Sequence, residues 1–291
     1  VNTRANPACR QRGAALLIAL LAVALAAVLA TEILERTQRD LARTQAVLAA
    51  ERAWQFSAGL DGLAREWVRR ARETGVGAEL LDGRWSQAFE VAGGVVRVRL
   101  LDPGGRFNLN VLASPDPDLV IAGRQALVRL LRELDLDPAL AAEIGGRMHP
   151  AGGARTVRLA HPSELERLGG WTPEVRRRLL PFITVLPDPE TRLNLNRTSP
   201  EVLAAWVDGL DREQATRLLA QAPFASLDQA LSAPELARLN NSRLATRLTT
   251  ESDWFMVHAQ VELDGELRDF HSLMHVAGKR YDARYTSLGT P

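Results

Sequence analysis

Beyond its first 13 residues the chain has no cysteine; Cys9 is the single one in 291 residues. That excludes disulfides, thiol nucleophiles and cysteine-based metal sites from everything downstream of the leader. Lysine is almost absent too. Arginine stands in its place nearly everywhere, with Lys279 close to alone, a bias that points to GC-rich coding rather than to function. Net charge is small at +1, and a leader with three arginines and no acid leaves 33 basic and 35 acidic side chains, or −2. So near-neutral a chain makes a poor general binder of nucleic acid or anionic membrane. There is no nucleophile elbow, phosphate loop, zinc signature or paired-carboxylate motif, and no local context activates the Ser and Asp residues present, so the chain reads as a non-enzyme that requires no cofactor.

What is present begins with a short basic leader, Val1 to Gly13 with Arg4, Arg10 and Arg12, followed by an uncharged run from Ala14 to Ala30. These 17 residues cover roughly 25 Å as a helix, enough for a thin bilayer. Arg10 and Arg12 place the N-terminus on the cytoplasmic side. Three processing outcomes fit: a signal peptide cut near Ala30, a plain anchor, or a prepilin-type leader cut between Gly13 and Ala14. The string R-Q-R-G-A-A-L-L-I-A-L-L resembles the N-terminus of type IV pilins and type II secretion pseudopilins. Helical patterning then runs on through Ile33, Leu34, Leu41, Val47, Leu48, Trp54, Leu60, Leu63 and Trp67, with no Pro or Gly from Ala14 until Gly59. A helix of more than about 40 residues is far beyond globular length, and one that starts in a membrane and continues as a stalk is the pilin plan.

Gly75, Gly77 and Gly83 mark the end of that helix. Strands are expected at Trp85–Ala92 and Val95–Leu101, turning at Gly93-Gly94, with Val96, Val98 and Leu100 on the buried face and Arg97 and Arg99 opposite. Residues 108–250 look helical: Asp118–Glu133, Pro138–Met148, Ser163–Arg167, Pro173–Phe182, Pro200–Val207, Arg212–Gln221, Leu227–Leu231 and Pro234–Thr246. Starts are marked by Thr172-Pro173-Glu174 and Thr198-Ser199-Pro200-Glu201, the latter with capping-box spacing. Arg106-Phe107-Asn108-Leu109-Asn110 recurs as Arg192-Leu193-Asn194-Leu195-Asn196, and two asparagines flanking a buried leucine can tie neighbouring loops through their amides. The echo predicts two consecutive helical modules. Period-two patterning returns at Phe255–Leu263, turns at Asp264-Gly265 and comes back over Leu267–Val276. A frayed tail is expected after Asp282.

In order along the chain, these segments resemble the general secretion pathway protein K family, the large minor pseudopilins of type II secretion. The matching stretches are Arg10–Gly13, Leu101–Asn110, Leu180–Pro187, Leu193–Leu203 and the strand around Ser252–Val261. The resemblance implies an α+β fold: a long N-terminal transmembrane and stalk helix on an antiparallel pseudopilin sheet, with a large inserted helical domain of two SAM-like parts. The corresponding divisions are a leader at 1–13, a transmembrane helix at 14–34, a stalk at 35–74, first strands at 84–107, helical parts at 108–190 and 191–250, and closing strands at 251–282. It implies a non-enzymatic subunit at the tip of a periplasmic pseudopilus, anchored once in the inner membrane, supporting export across the outer membrane. The implied partners are I-type and J-type minor pseudopilins, other pseudopilins, the inner-membrane platform and the prepilin peptidase, which cuts before Ala14 and methylates it. Major pilins carry Glu at the fifth mature position; here that position is Ile18, which fits a subunit with none beyond it.

A membrane-tethered helix-hairpin-helix DNA receptor is the competing expectation, but the hairpin Val207-Asp208-Gly209-Leu210-Asp211 sets two acids where phosphate would bind. Some members of the resembled family bind calcium. Acid clusters at Asp116/Asp118, Asp135/Asp137 and Asp188/Glu190 lack EF-hand spacing, so no site maps, and each reads as a turn or cap. His271 and His275 share a strand face with no third ligand in view; His161 and His258 stand alone.

Overall fold

The computed structural model describes residues 8–74, 83–91, 94–149, 156–239, 242–263, 266–277 and 280–288. It divides into two units, 1–59 and 60–291. Among the described residues the first unit is helix: α1 runs unbroken from Ala8 to Thr74, starting six residues before Ala14. Leu16–Gln45 is long and apolar enough to cross a membrane, and none of it is buried. Exposed Leu16, Leu17, Ile18, Leu20, Leu21 and Val23 need an apolar medium or neighbouring helices to cover them.

The second unit opens with the last turns of α1. Ala64 and Val68, one turn apart, are fully buried, and Trp67 meets Phe89 edge-on at 6.2 Å. Glu66 takes hydrogen bonds from Arg69 and Arg70 on this segment, which hold its pKa down to about 2.

The sheet comprises β1 (Phe89–Val91), β2 (Gly94–Leu101), β7 (Trp254–Leu263), β8 (Glu266–Ala277) and β9 (Arg280–Leu288), in that spatial order and antiparallel throughout. Strand alternation sorts its faces as expected, with Val96, Val98 and Leu100 buried beside Val261, Ala259 and Val257. Three details differ from the sequence reading. β1 is shorter, because Trp85 and Ser86 leave the ladder; Ser86 makes only a local exchange with Val98. Gly94 pairs with Val91 and so belongs to β2 rather than to the expected Gly93-Gly94 turn; Gly93 and the Asp264-Gly265 turn lie outside the described residues. Residues 283–288 are not frayed but complete β9, whose pairing with β8 shifts register between Leu273 and Met274. A bulge there breaks the simple period-two signal.

Between β2 and β7 lies the helical insertion. Its elements are β3 (Phe107–Asn108), a 3₁₀ turn at Leu109–Ala113, α2 (Pro117–Glu133), α3 (Leu140–Met148), a 3₁₀ turn at Pro162–Arg167, α4 (Pro173–Leu179), β4 (Ile183–Thr184), β5 (Leu193–Asn194), α5 (Pro200–Trp206), α6 (Arg212–Leu219), α7 (Leu227–Leu231), α8 (Pro234–Ala237), α9 (Ser242–Arg247) and β6 (Leu248–Thr249). The segment expected as one helix over Pro234–Thr246 is two, α8 and α9, the second leading into β6, which pairs with β5. Capping follows the expected chemistry with one shift: Ser199 rather than Thr198 caps α5, taking the Val202 N–H. Reciprocal capping boxes form instead at His161/Glu164 and Asp211/Gln214.

The repeated sequence is a repeated structure. Each copy pairs its two-residue strand in parallel with a strand that closes its half, β3 with β4 and β5 with β6. Each also turns between helices through one residue of positive φ, Asp135 (+49°) and Gly209 (+82°), followed by a buried leucine, Leu136 and Leu210. One continuous apolar core nevertheless serves both halves, from Phe107 to Leu248, and Phe107 contacts Trp206 across the division at 5.5 Å.

Candidate functional site

Three regions carry the groups that sequence reasoning marked, or that it missed. The first is the N-terminal helix. Gly13 and Ala14 lie inside α1, and Ile18 is 70% exposed on it.

The second is the junction where the insertion leaves and rejoins the sheet. Asp102 follows β2, and its carboxylate, only 6% exposed, accepts the Gly104 N–H at 2.8 Å and the Asn194 amide at 3.4 Å. Ser252, at the entry to β7, bonds it too, and Arg197 Nε stands 3.9 Å away. Burial raises the Asp102 pKa, opposed by those hydrogen bonds and by Arg197. Asn194 also donates to Ser252 Oγ at 2.8 Å, so one asparagine and one aspartate clasp both ends of the insertion. Gly104 and Gly105 are needed here by close approach: a Cβ on Gly105 would lie 2.2 Å from the Arg197 carbonyl oxygen.

The asparagine pairs do the same work in both halves. Asn110 is fully buried; its amide donates to Leu159 O (2.9 Å) and Leu186 O (2.8 Å) and accepts from Leu159 N (2.8 Å). Asn196 donates to Phe224 O and Thr250 O, both at 3.0 Å, and accepts from Phe224 N at 2.7 Å. Each pins two distant loops to a 3₁₀ or helical start, as the spacing suggested.

The third region is the sheet face opposite the buried valines. His258 receives the Arg99 Nε–H on Nδ1 at 3.0 Å and presents Nε2 to Asp269 Oδ1 at 2.7 Å. That is the neutral Nε2–H tautomer, because an imidazolium would point a proton at Arg99. His271 stacks on His258 at 4.1 Å, and Trp85 covers His258 while Arg97 and Arg99 lie over the indole. Burial, with Arg99 and Arg97, lowers the His258 pKa against the pull of Asp269. Burial acts to raise the Asp269 pKa, but bonds from His258 and Gln260 outweigh it and the net direction is down. Both shifts act in one direction on stability. A histidine with a depressed folded pKa loses stability as pH falls below about 6.5, and the aspartate adds a further loss below about 4. Chemical unfolding at pH 7 and pH 5 therefore shows lower stability at pH 5, and His258→Gln shrinks that difference. An unchanged pH slope in the variant would refute the assignment.

His275 lies against Trp254 at 4.4 Å, on the face it shares with His271. The acid clusters are local structure. Asp116 caps α2 through Asp118 N, Asp137 accepts Ala139 N, and Asp188 accepts Glu190 N. Asp135 pairs with Arg178 and Asp208 with Arg129. Among the described residues no group of three His, Cys, Asp or Glu is placed to hold a metal ion. Both helical hairpins thus present carboxylates where a phosphate-binding hairpin presents free amides.

Comparison with known proteins adds three findings. Family models described as "Type II secretion system (T2SS), protein K" match residues 105–188 and 193–251. The chain is similar to the type II secretion system protein K of Pectobacterium carotovorum subsp. carotovorum (30% identical, covering 93% of this chain and 94% of the relative). It is also similar to those of Pseudomonas aeruginosa (31%, 72% of each) and Klebsiella pneumoniae (25%, 94% of each). A chain in the crystal structure of the GspK-GspI-GspJ complex from enterotoxigenic Escherichia coli shares the fold, with TM-score 0.66 and 21% identity over 86% of this chain and all of the other.

Proposed function

The chain belongs to the type II secretion system protein K family, and from that premise we propose that it is the tip subunit of a periplasmic pseudopilus. One observation carries the reading. A single helix, α1, begins as an exposed apolar segment able to span a membrane and, in its later turns, buries Ala64 and Val68 in the unit that carries the sheet and its large helical insertion. The helix anchors the chain, single-pass, in the inner membrane; Arg10 and Arg12 keep the N-terminus cytoplasmic and the sheet and insertion periplasmic. Residues 1–13 are the leader, 14–34 the span and 35–74 the stalk. The two helical parts, 108–190 and 191–250, cover the end of the assembly. Ile18 leaves no carboxylate that would need the N-terminal amine of a further subunit. GspI and GspJ accompany GspK in the complex whose fold this chain shares, so their counterparts are the proposed neighbours. The role is assembly, with no catalysis and no required cofactor.

Mass spectrometry of the chain produced in a host with a prepilin peptidase tests this. The expected mature N-terminus is methylated Ala14. An intact leader, or a start near Thr31, would overturn the pseudopilin reading.

A further inference from the structure

A cavity of about 450 Å³ opens where the insertion meets the end of β2, lined by Leu101, Asp102, Arg106, Arg197, Thr198 and Ser199 among others. The size suits a small ligand or an inserted side chain. Its polar groups are unequally satisfied. Asp102 is committed to Gly104, Ser252, Asn194 and Arg197. The Asn196 amide is committed to Phe224 and Thr250, and the Thr198 hydroxyl donates to Ser199 O. Arg106 differs: it has no ion pair and no side-chain hydrogen bond to a described residue. Its charged neighbours are Arg99, of like sign, and Asp102, already engaged. The Arg106 side chain is exposed at the mouth of the cavity, so its guanidinium is open to an incoming anion.

The charge balance selects the ligand. With Arg197 facing Asp102, one positive charge, that of Arg106, is left over. A guanidinium fork matches the two oxygens of a carboxylate. Ser199 Oγ accepts the Val202 N–H, which leaves its own proton free to donate into the same cavity. A phosphate dianion would bring one charge more than this lining neutralises.

We propose that the cavity binds a single carboxylate group, held bidentately by Arg106, on a small organic acid or on an Asp or Glu side chain of a neighbouring subunit. The first test is calorimetric titration of the detergent-solubilised full chain with propionate, the mimic of an acidic side chain, at ionic strength fixed with chloride. Saturable binding is expected. It weakens at least tenfold in Arg106→Met, is unchanged in Arg124→Met, and is tighter than binding of inorganic phosphate. No saturable propionate binding, equal binding by Arg106→Met, or phosphate binding as tightly as propionate overturns the proposal. A second arm identifies the source of the carboxylate and rests on the assembly proposed above, whereas the first arm does not depend on it. If the carboxylate is a neighbour's, Arg106→Glu lowers co-purification of the other minor pseudopilins at least fivefold. If it belongs to a small acid, co-purification is unchanged while propionate binding is still lost.

Discussion

Replacing Gly105 by alanine destabilises the chain by about 3 kcal/mol, near the upper end of what one added methyl does. The methyl would stand 2.2 Å from the Arg197 carbonyl oxygen, 2.3 Å from its carbon and 2.7 Å from the Thr198 nitrogen. All three are backbone atoms, so no side-chain rotation relieves the clash. The Pro103–Gly105 turn and the backbone at Arg197-Thr198 must part, which disturbs the neighbouring bonds of Asp102 to Gly104, Asn194 and Ser252. Gly146→Ala is the internal control. It lies in α3 with nothing within 4 Å of the added methyl, and in a helix the change stabilises by about 0.5–1 kcal/mol. Urea unfolding followed by tryptophan fluorescence distinguishes the two. Equal midpoints for Gly105→Ala and the parent chain would refute the close-approach account.

Asn110→Ala is expected to cost as much or more. Three buried backbone groups, Leu159 N, Leu159 O and Leu186 O, lose their partners at once. At about 1–3 kcal/mol for each stranded group, the loss is roughly 3–9 kcal/mol before whatever water recovers. Asn110→Asp does no better, since a carboxylate cannot donate to two carbonyls. Asn196→Ala, at a more accessible position of the same design, costs less. Equal losses for Asn110→Ala and Asn196→Ala would show that burial does not set the penalty.

Much of this was legible in the sequence because it is local. The long apolar N-terminal helix, the capped helices and the strand alternation each follow from periods and caps within a dozen residues. The twin R-x-N-L-N segments announced a duplicated structure, and the amide bonds made by Asn110 and Asn196 explain why both copies keep two asparagines. Long-range matters were hidden. The parallel pairs β3–β4 and β5–β6 are two residues each, too short for any period. β9 is interrupted by a bulge. The core shared by the two halves depends on α2 meeting α5, which neither helix shows alone. At the junction the signal is local. Asp102-Pro103-Gly104-Gly105 sets a carboxylate and two side-chain-free residues at the end of a strand, a pattern that calls for close backbone approach.

Taken without its insertion, the sheet order β1-β2-β7-β8-β9 is a simple meander, each strand beside the next in sequence. One pairing alone, β2 with β7, spans the roughly 150 residues from Asp102 to Asp253. Closing a flexible loop of that length costs about 4 kcal/mol. A folded insertion has already brought Asp102 and Ser252 together, and the cost is then met before the strands meet. The clasp thereby predicts an order in time, helices first and the central ladder after them, which stopped-flow refolding of clasp variants would check. Variants that loosen the clasp slow refolding more than they speed unfolding.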